Sequence, residues 1–210
     1  MAAAKPFDST GFNSIDTRHP ALLFAGLWAV AASFLFILSG LLGVHEGAPI
    51  TQRLDVLFSS DVSNRIHNLS GSESATEELR EHRFSVSHPL LNQVWGTLGS
   101  GIAALAKPMT HEADIAAARL LVAAIGALGM AALCILAWRE NASPWARSLL
   151  LVVAFLCTAN VLVAVPDHYG ISTGLLAFAF YVAVSPAMSY RLPVLAVITV
   201  LTAATTITNV

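Results

Sequence analysis

The amino-acid sequence predicts an all-α polytopic membrane protein, with about five transmembrane helices and one long polar loop. Two observations carry that expectation. The 210 residues are 56% hydrophobic and only 11% charged, whereas a soluble domain carries about 25% charged residues. A chain this poor in charge cannot cover a water-facing surface and needs lipid as its solvent. The charge it does have is gathered in one place. More than half of the Asp, Glu, Lys and Arg residues, and five of the seven histidines, fall between His45 and Glu112. The net charge of −2 gives no electrostatic case for nucleic acid as a partner. Cys134 and Cys157 both lie in apolar runs, so neither a disulfide nor a zinc framework is readable.

Residues 1–20 are polar and mixed in charge, and read as a cytoplasmic tail. Residues 21–210 read as the transmembrane domain. Its first span is Ala21–Val44, which has no charged residue and, at roughly 1.5 Å per residue, is long enough to cross a bilayer. A cleaved signal peptide would have a shorter apolar core, so this span is retained.

The loop 45–112 follows. Leu54, Phe58, Val62, Ile66 and Leu69 form one apolar stripe at helical spacing, with Asp55, Asp61 and Arg65 off it. That pattern suits an amphipathic helix lying in the interface. Gly71–Glu81 is an acidic, solvated stretch. After His88-Pro89 a second stripe of Leu91, Val94 or Trp95, Leu98, Ile102 and Leu105 predicts another interfacial or shallow re-entrant helix.

Thr110 is placed to cap the second span, about Ala113–Trp138, with Glu112 and Asp114 where the helix dipole favours anions. Gly126 and Gly129 suit close helix packing there. Ser143 and Pro144 occupy the cap and first position of a third span, about Trp145–Val165. Pro166-Asp167-His168-Tyr169-Gly170 interrupts the apolar pattern before a fourth span, about Ile171–Val184. A fifth runs from about Val194 onward. The chain stops at or inside this apolar segment, and the expectation is that it is the amino-terminal part of a longer protein.

Arg139, Arg147 and Arg191 flank the second and fourth connections, while Pro166–Gly170 holds neither Lys nor Arg. The positive-inside rule places the N-terminus in the cytoplasm and the 45–112 loop outside, on the same face as Pro166–Gly170. Residues far apart in sequence then share one surface.

Each polar residue on that face also has a plainer role. Asp61, near the low-dielectric boundary, is a candidate general base, or simply a partner for Arg65 at the i+4 position. His88 before Pro89 is a candidate phosphate contact, or only a helix cap. Arg65, Arg80 and Arg83 suit a phosphate, and equally lipid headgroups. Asp167-His168 is a carboxylate–imidazole pair, although capping alone explains Asp167. Arg119, inside the second span, is either functional or snorkels to the interface. His82, His88, His111 and His168 are the conceivable ligands of a divalent metal, but no close ligand spacing appears.

The stretches SSDVSNR around Asp61, SVSHPL with His88 and Pro89, and VPDHYGISTGLLAF from Val165 come in an order that resembles the GT-C membrane glycosyltransferases. That family includes the protein O-mannosyltransferases and the bacterial lipid A aminoarabinose transferases. The resemblance implies a GT-C-like fold in a plasma (inner) membrane of bacterial type. It also implies sugar transfer at the outer face from a lipid-linked donor, a polyprenyl-phosphate sugar. Asp61 would be the general base, and Arg65, Arg83 and His88 would hold the leaving phosphate. Asp167 and His168 would orient sugar or acceptor. Here Asp61 is followed by Val62, where many members have a second acid. A different class also fits the composition, a non-catalytic membrane module such as a transporter half or assembly subunit. A transporter would place polar groups at mid-membrane, whereas the polarity here gathers at one interface.

Overall fold

The computed structural model of the chain describes residues 20–42, 66, 69–70, 91–140, 143–157, 159–185 and 190–206. Every regular element among the described residues is helical. Helix α1 spans Pro20–Leu41. A six-residue π-helical turn, Leu91–Gly96, leads directly into α2, Thr97–Ala106. Helix α3 is Ala113–Glu140, α4 is Pro144–Leu156 and α5 is the short Ala159–Ala164. Helices α6, His168–Val184, and α7, Arg191–Thr206, follow.

Local chemistry explains most of these boundaries. The Thr110 hydroxyl accepts from the Glu112 amide at 3.1 Å just before α3, and Asp114 and Arg139 sit in its first and last turns, each favourable to the helix dipole. Ser143 has the extended backbone of a cap and Pro144 the first helical position, but the serine hydroxyl makes no capping bond. At α6 the Asp167 carboxylate accepts from the His168 amide at 2.6 Å.

Glycines decide how the long helices meet. A side chain on Gly174 would collide with the Ile125 carbonyl and come within 2.8 Å of the Gly126 Cα. One on Gly129 would meet Ala177 Cβ at 2.9 Å, and one on Gly170 would meet Val122 at 2.8 Å. The matched order 122–170, 126–174 and 129–177 makes α3 and α6 parallel, with α4 and α5 carrying the chain back between them. Helix α1 runs antiparallel to α3. Gly40 lies beside Arg119 while Leu35 lies beside Gly126, and the Trp28 indole donates to the Ala124 carbonyl at 2.7 Å. Two apolar clusters result. One joins Ile66, Leu69 and Trp95 to α3, α6 and α7, and the other joins α1 to α3 and α5.

Ala21–Leu41 and Ala113–Arg139 are long and apolar enough to cross a bilayer, and the other apolar helices are shorter. Each of the helices α1–α7 exposes large apolar side chains, among them Leu41, Leu156, Leu192 and Trp145, the last 86% exposed. Burying such residues in lipid is worth about 25 cal/mol per Å2 of apolar surface, and a water-soluble bundle would leave that unrealised.

The structure corrects two expectations. The third span is not one helix over 145–165. The backbone leaves the helical region at Cys157, and the Asn160 amide donates to the Ala154 carbonyl at 2.6 Å and to Phe155 at 3.0 Å. A lone amide thereby satisfies the carbonyls left open at the end of α4 and stabilises an interruption that no Gly or Pro announces. The stripe expected after Pro89 holds only in part: Trp95 is buried and Val94 and Ile102 pack against the core, but Leu98 and Leu105 are exposed, and Gly99 and Ala103 are buried in their place. The close approach of Gly99 to the Leu69 backbone turns that face of α2 inward. Arg119, half-buried, reaches across to the carboxyl-terminal end of α1 beside Gly40. Its guanidinium donates to the Phe36 carbonyl of α1 at 2.8 Å and stacks 4.4 Å from the Phe36 ring centroid.

Candidate functional site

The parallel course of α3 and α6 fixes where polar groups collect. The start of α3, the start of α6, the end of α1 and the end of α7 all lie at one end of the bundle. The π-helical turn closes that end, with the Trp95 indole donating to the Thr205 hydroxyl at 2.9 Å. Leu69 is packed there too: Gly99 of α2 lies so close to the Leu69 carbonyl that no side chain fits between them. The stretch 91–112 and Pro166–Gly170 therefore share one end of the molecule.

Within this end Asp167 and His168 form the polar centre. Pro166 lies in the bend between α5 and α6, and Asp167 takes the N-cap position with extended backbone. Asp167 is 2% exposed and His168 8%. The same carboxylate oxygen that receives the His168 amide also meets His168 Nδ1, so one short side chain both starts the helix and orients the ring. The Ser172 hydroxyl donates to the His168 carbonyl at 2.8 Å one turn on. The imidazole lies against the Tyr169 ring, centroids 4.0 Å apart, and Tyr169 itself is 56% exposed. This places a buried acid–imidazole couple next to an aromatic ring that reaches the surface.

Of the site residues expected from sequence, Asp167 and His168 are brought together. Asp61, Arg65, Arg83 and His88 lie outside the described residues. Among the described residues no three His, Cys, Asp or Glu side chains stand together as metal ligands. Two groups carry more than the sequence suggested. Asn160, buried in the first turn of α5, was signalled only by being polar in an apolar run. The Trp95–Thr205 hydrogen bond joins residues too distant for any periodicity to connect.

No protein-family model, no curated protein and no solved structure matches this chain.

Proposed function

We propose that the chain is a five-span, GT-C-like membrane glycosyltransferase, or the amino-terminal part of one. It moves a sugar from a polyprenyl-phosphate donor to an acceptor hydroxyl at the outer membrane face. The observation that carries this reading is the buried Asp167–His168 couple, set at the bundle end where the loop 45–112 rejoins the helices. A site at the mouth of an apolar bundle suits a substrate whose anchor stays in lipid while its phosphate and sugar stand in the interface. In the transfer, the acceptor oxygen bonds to the anomeric carbon as its proton leaves. The bond from that carbon to the phosphate oxygen breaks, and the electron pair departs with polyprenyl phosphate. By the resemblance, Asp61 is the base and Arg65, Arg83 and His88 meet the phosphate charge. Asp167 and His168 orient the sugar or the acceptor.

The test is transfer from a polyprenyl-phosphate sugar by the protein in membranes, comparing wild type with Asp61→Asn at matched expression. The reading expects transfer by the wild type and its loss in the variant, since the amide keeps the shape but cannot take the proton. A wild type that transfers nothing from any lipid-linked sugar removes the reading.

One observation favours a second reading, the non-catalytic module. The α4–α5 interruption with buried Asn160 is the kind of broken helix that transporters use to expose backbone groups to cargo. Solute flux into vesicles without any sugar transfer would favour it.

A further inference from the structure

We propose that the end of the bundle opposite Asp167–His168 is a docking surface for the headgroups of anionic phospholipids in the adjoining leaflet. The inference is independent of sugar transfer and needs only that the bundle lies in a bilayer.

The fold brings three arginines to this end. Because α3 and α6 run parallel, the end of α3, the start of α4, the end of α6 and the start of α7 meet there. Arg139 lies in the last turn of α3, Arg147 near the start of α4, and Arg191 opens α7. Two contacts fix their arrangement. The Arg147 guanidinium stands 5.2 Å from the Trp138 ring centroid, which ties the start of α4 to the end of α3. Arg191 Nη1 donates to the Ala183 carbonyl at 3.2 Å, one of the carbonyls left open where α6 ends. Arg139 and Arg191 are exposed, and among the described residues no acid pairs with either.

Charge decides the kind of surface that fits. The connections at this end, 139–147 and 185–191, hold the three arginines and a single acid, Glu140. The loop 45–112, which leaves and rejoins the bundle at the other end, holds eight acids against five Lys and Arg residues. A chain whose net charge is −2 thus turns one positive end outward. Trp145, Tyr190 and Leu192 are exposed beside these arginines. Cations next to rings with a polar edge match the layer where a bilayer's phosphates meet its acyl chains. The guanidinium fork suits a phosphate oxygen pair. A soluble anion would answer the arginines and leave the three apolar neighbours in water, so a lipid is the better match.

The test uses the full chain in phosphatidylcholine bilayers with a minor share of phosphatidylglycerol. One lipid or the other is brominated on its acyl chain, so that it quenches tryptophan on contact, and Trp145→Phe identifies the quenching that arises at this end. An arginine at an anionic leaflet favours binding on the order of fivefold. Phosphatidylglycerol should therefore be enriched about fivefold or more over phosphatidylcholine beside Trp145. Arg139→Gln with Arg191→Gln should bring that ratio close to one, and Arg139→Lys with Arg191→Lys should keep most of it. High salt should lower it, and Lys107→Gln, at the other end, should leave it unchanged. Arg139→Gln alone breaks no bond to the described residues, so it reads the same effect even if the double variant does not fold. Equal quenching by both lipids in the wild type, or a preference that survives loss of the arginines, overturns the proposal. Abolition of the preference by millimolar inorganic phosphate at constant ionic strength also overturns it, by making a soluble anion the ligand. A chain that does not float with the vesicles on a density gradient removes the proposal together with the membrane reading, whereas a lack of sugar transfer leaves it standing.

Discussion

Trp95 and Thr205 are 110 residues apart in the chain and share one buried hydrogen bond, the indole nitrogen donating to the threonine hydroxyl at 2.9 Å. The hydroxyl passes its own proton to the Leu201 carbonyl at 2.7 Å, so both of its roles are filled. This contact ties the π-helical turn to the last turn of α7 and closes the polar end of the bundle.

Thr205→Val keeps the volume and removes the acceptor, leaving a buried indole N–H unsatisfied. The expected loss is about 1–3 kcal/mol, read as a lower midpoint of unfolding in detergent. Adding Trp95→Phe should cost less on this background than on the wild type, because the orphaned donor is then gone. Additive losses in the double variant would mean that the hydrogen bond carries no coupling.

Gly174→Ala forces a methyl group against the α3 backbone at Ile125 and Gly126. Overpacking of this kind costs about 1–3 kcal/mol. Gly26→Ala is the matched control, since nothing lies within 4 Å of its added Cβ and alanine is about 0.5–1 kcal/mol the better helix former. The two variants should move thermal stability in opposite directions.

Arg119→Met removes both the bond to the Phe36 carbonyl and the contact with the Phe36 ring. Relief from desolvating the guanidinium offsets part of that, so the net expectation is a loss of about 1–2 kcal/mol. Arg119→Lys should not restore it, because a point ammonium cannot stack and donate in one plane. Differential scanning fluorimetry of the three proteins decides the matter.

Asn160→Leu takes away the cap on the carbonyls of Ala154 and Phe155. With leucine there, α4 and α5 are expected to join into one helix, because the run from Leu149 to Val165 has no other breaker. Hydrogen exchange of the amides from Cys157 to Val161 reports it. Slower exchange than in the wild type is expected, and faster exchange would contradict the capping role.

The proposed five-span arrangement predicts a labelling pattern for single cysteines in a background lacking Cys134 and Cys157. Met109→Cys should react with an impermeant thiol reagent added outside intact cells. Ser143→Cys and Tyr190→Cys should react only after permeabilisation. Labelling of all three from one side would break the alternation on which the arrangement rests.

Much of this molecule was legible in the residues alone. The first two long helices, the cap at Thr110, the proline start of α4 and the cap at Asp167 all follow from apolar length and local hydrogen-bond chemistry, which act within a few residues. Gly126 and Gly129 announced close packing for the same reason, since a missing side chain is visible without knowing its neighbour. What they pack against was not visible. Only the tertiary structure decided that Gly174 faces Gly126, that α3 and α6 run parallel, and that Arg119 reaches across to α1. It also decided that Asn160 ends one helix and that Trp95 meets Thr205. Each of these depends on contacts between distant segments, whose energies are of the same size as local preferences and reverse them wherever packing gains more. The Asp167–His168 pair belongs to both levels. Its adjacency is written in the chain, and its burial beside the bundle core comes from the fold.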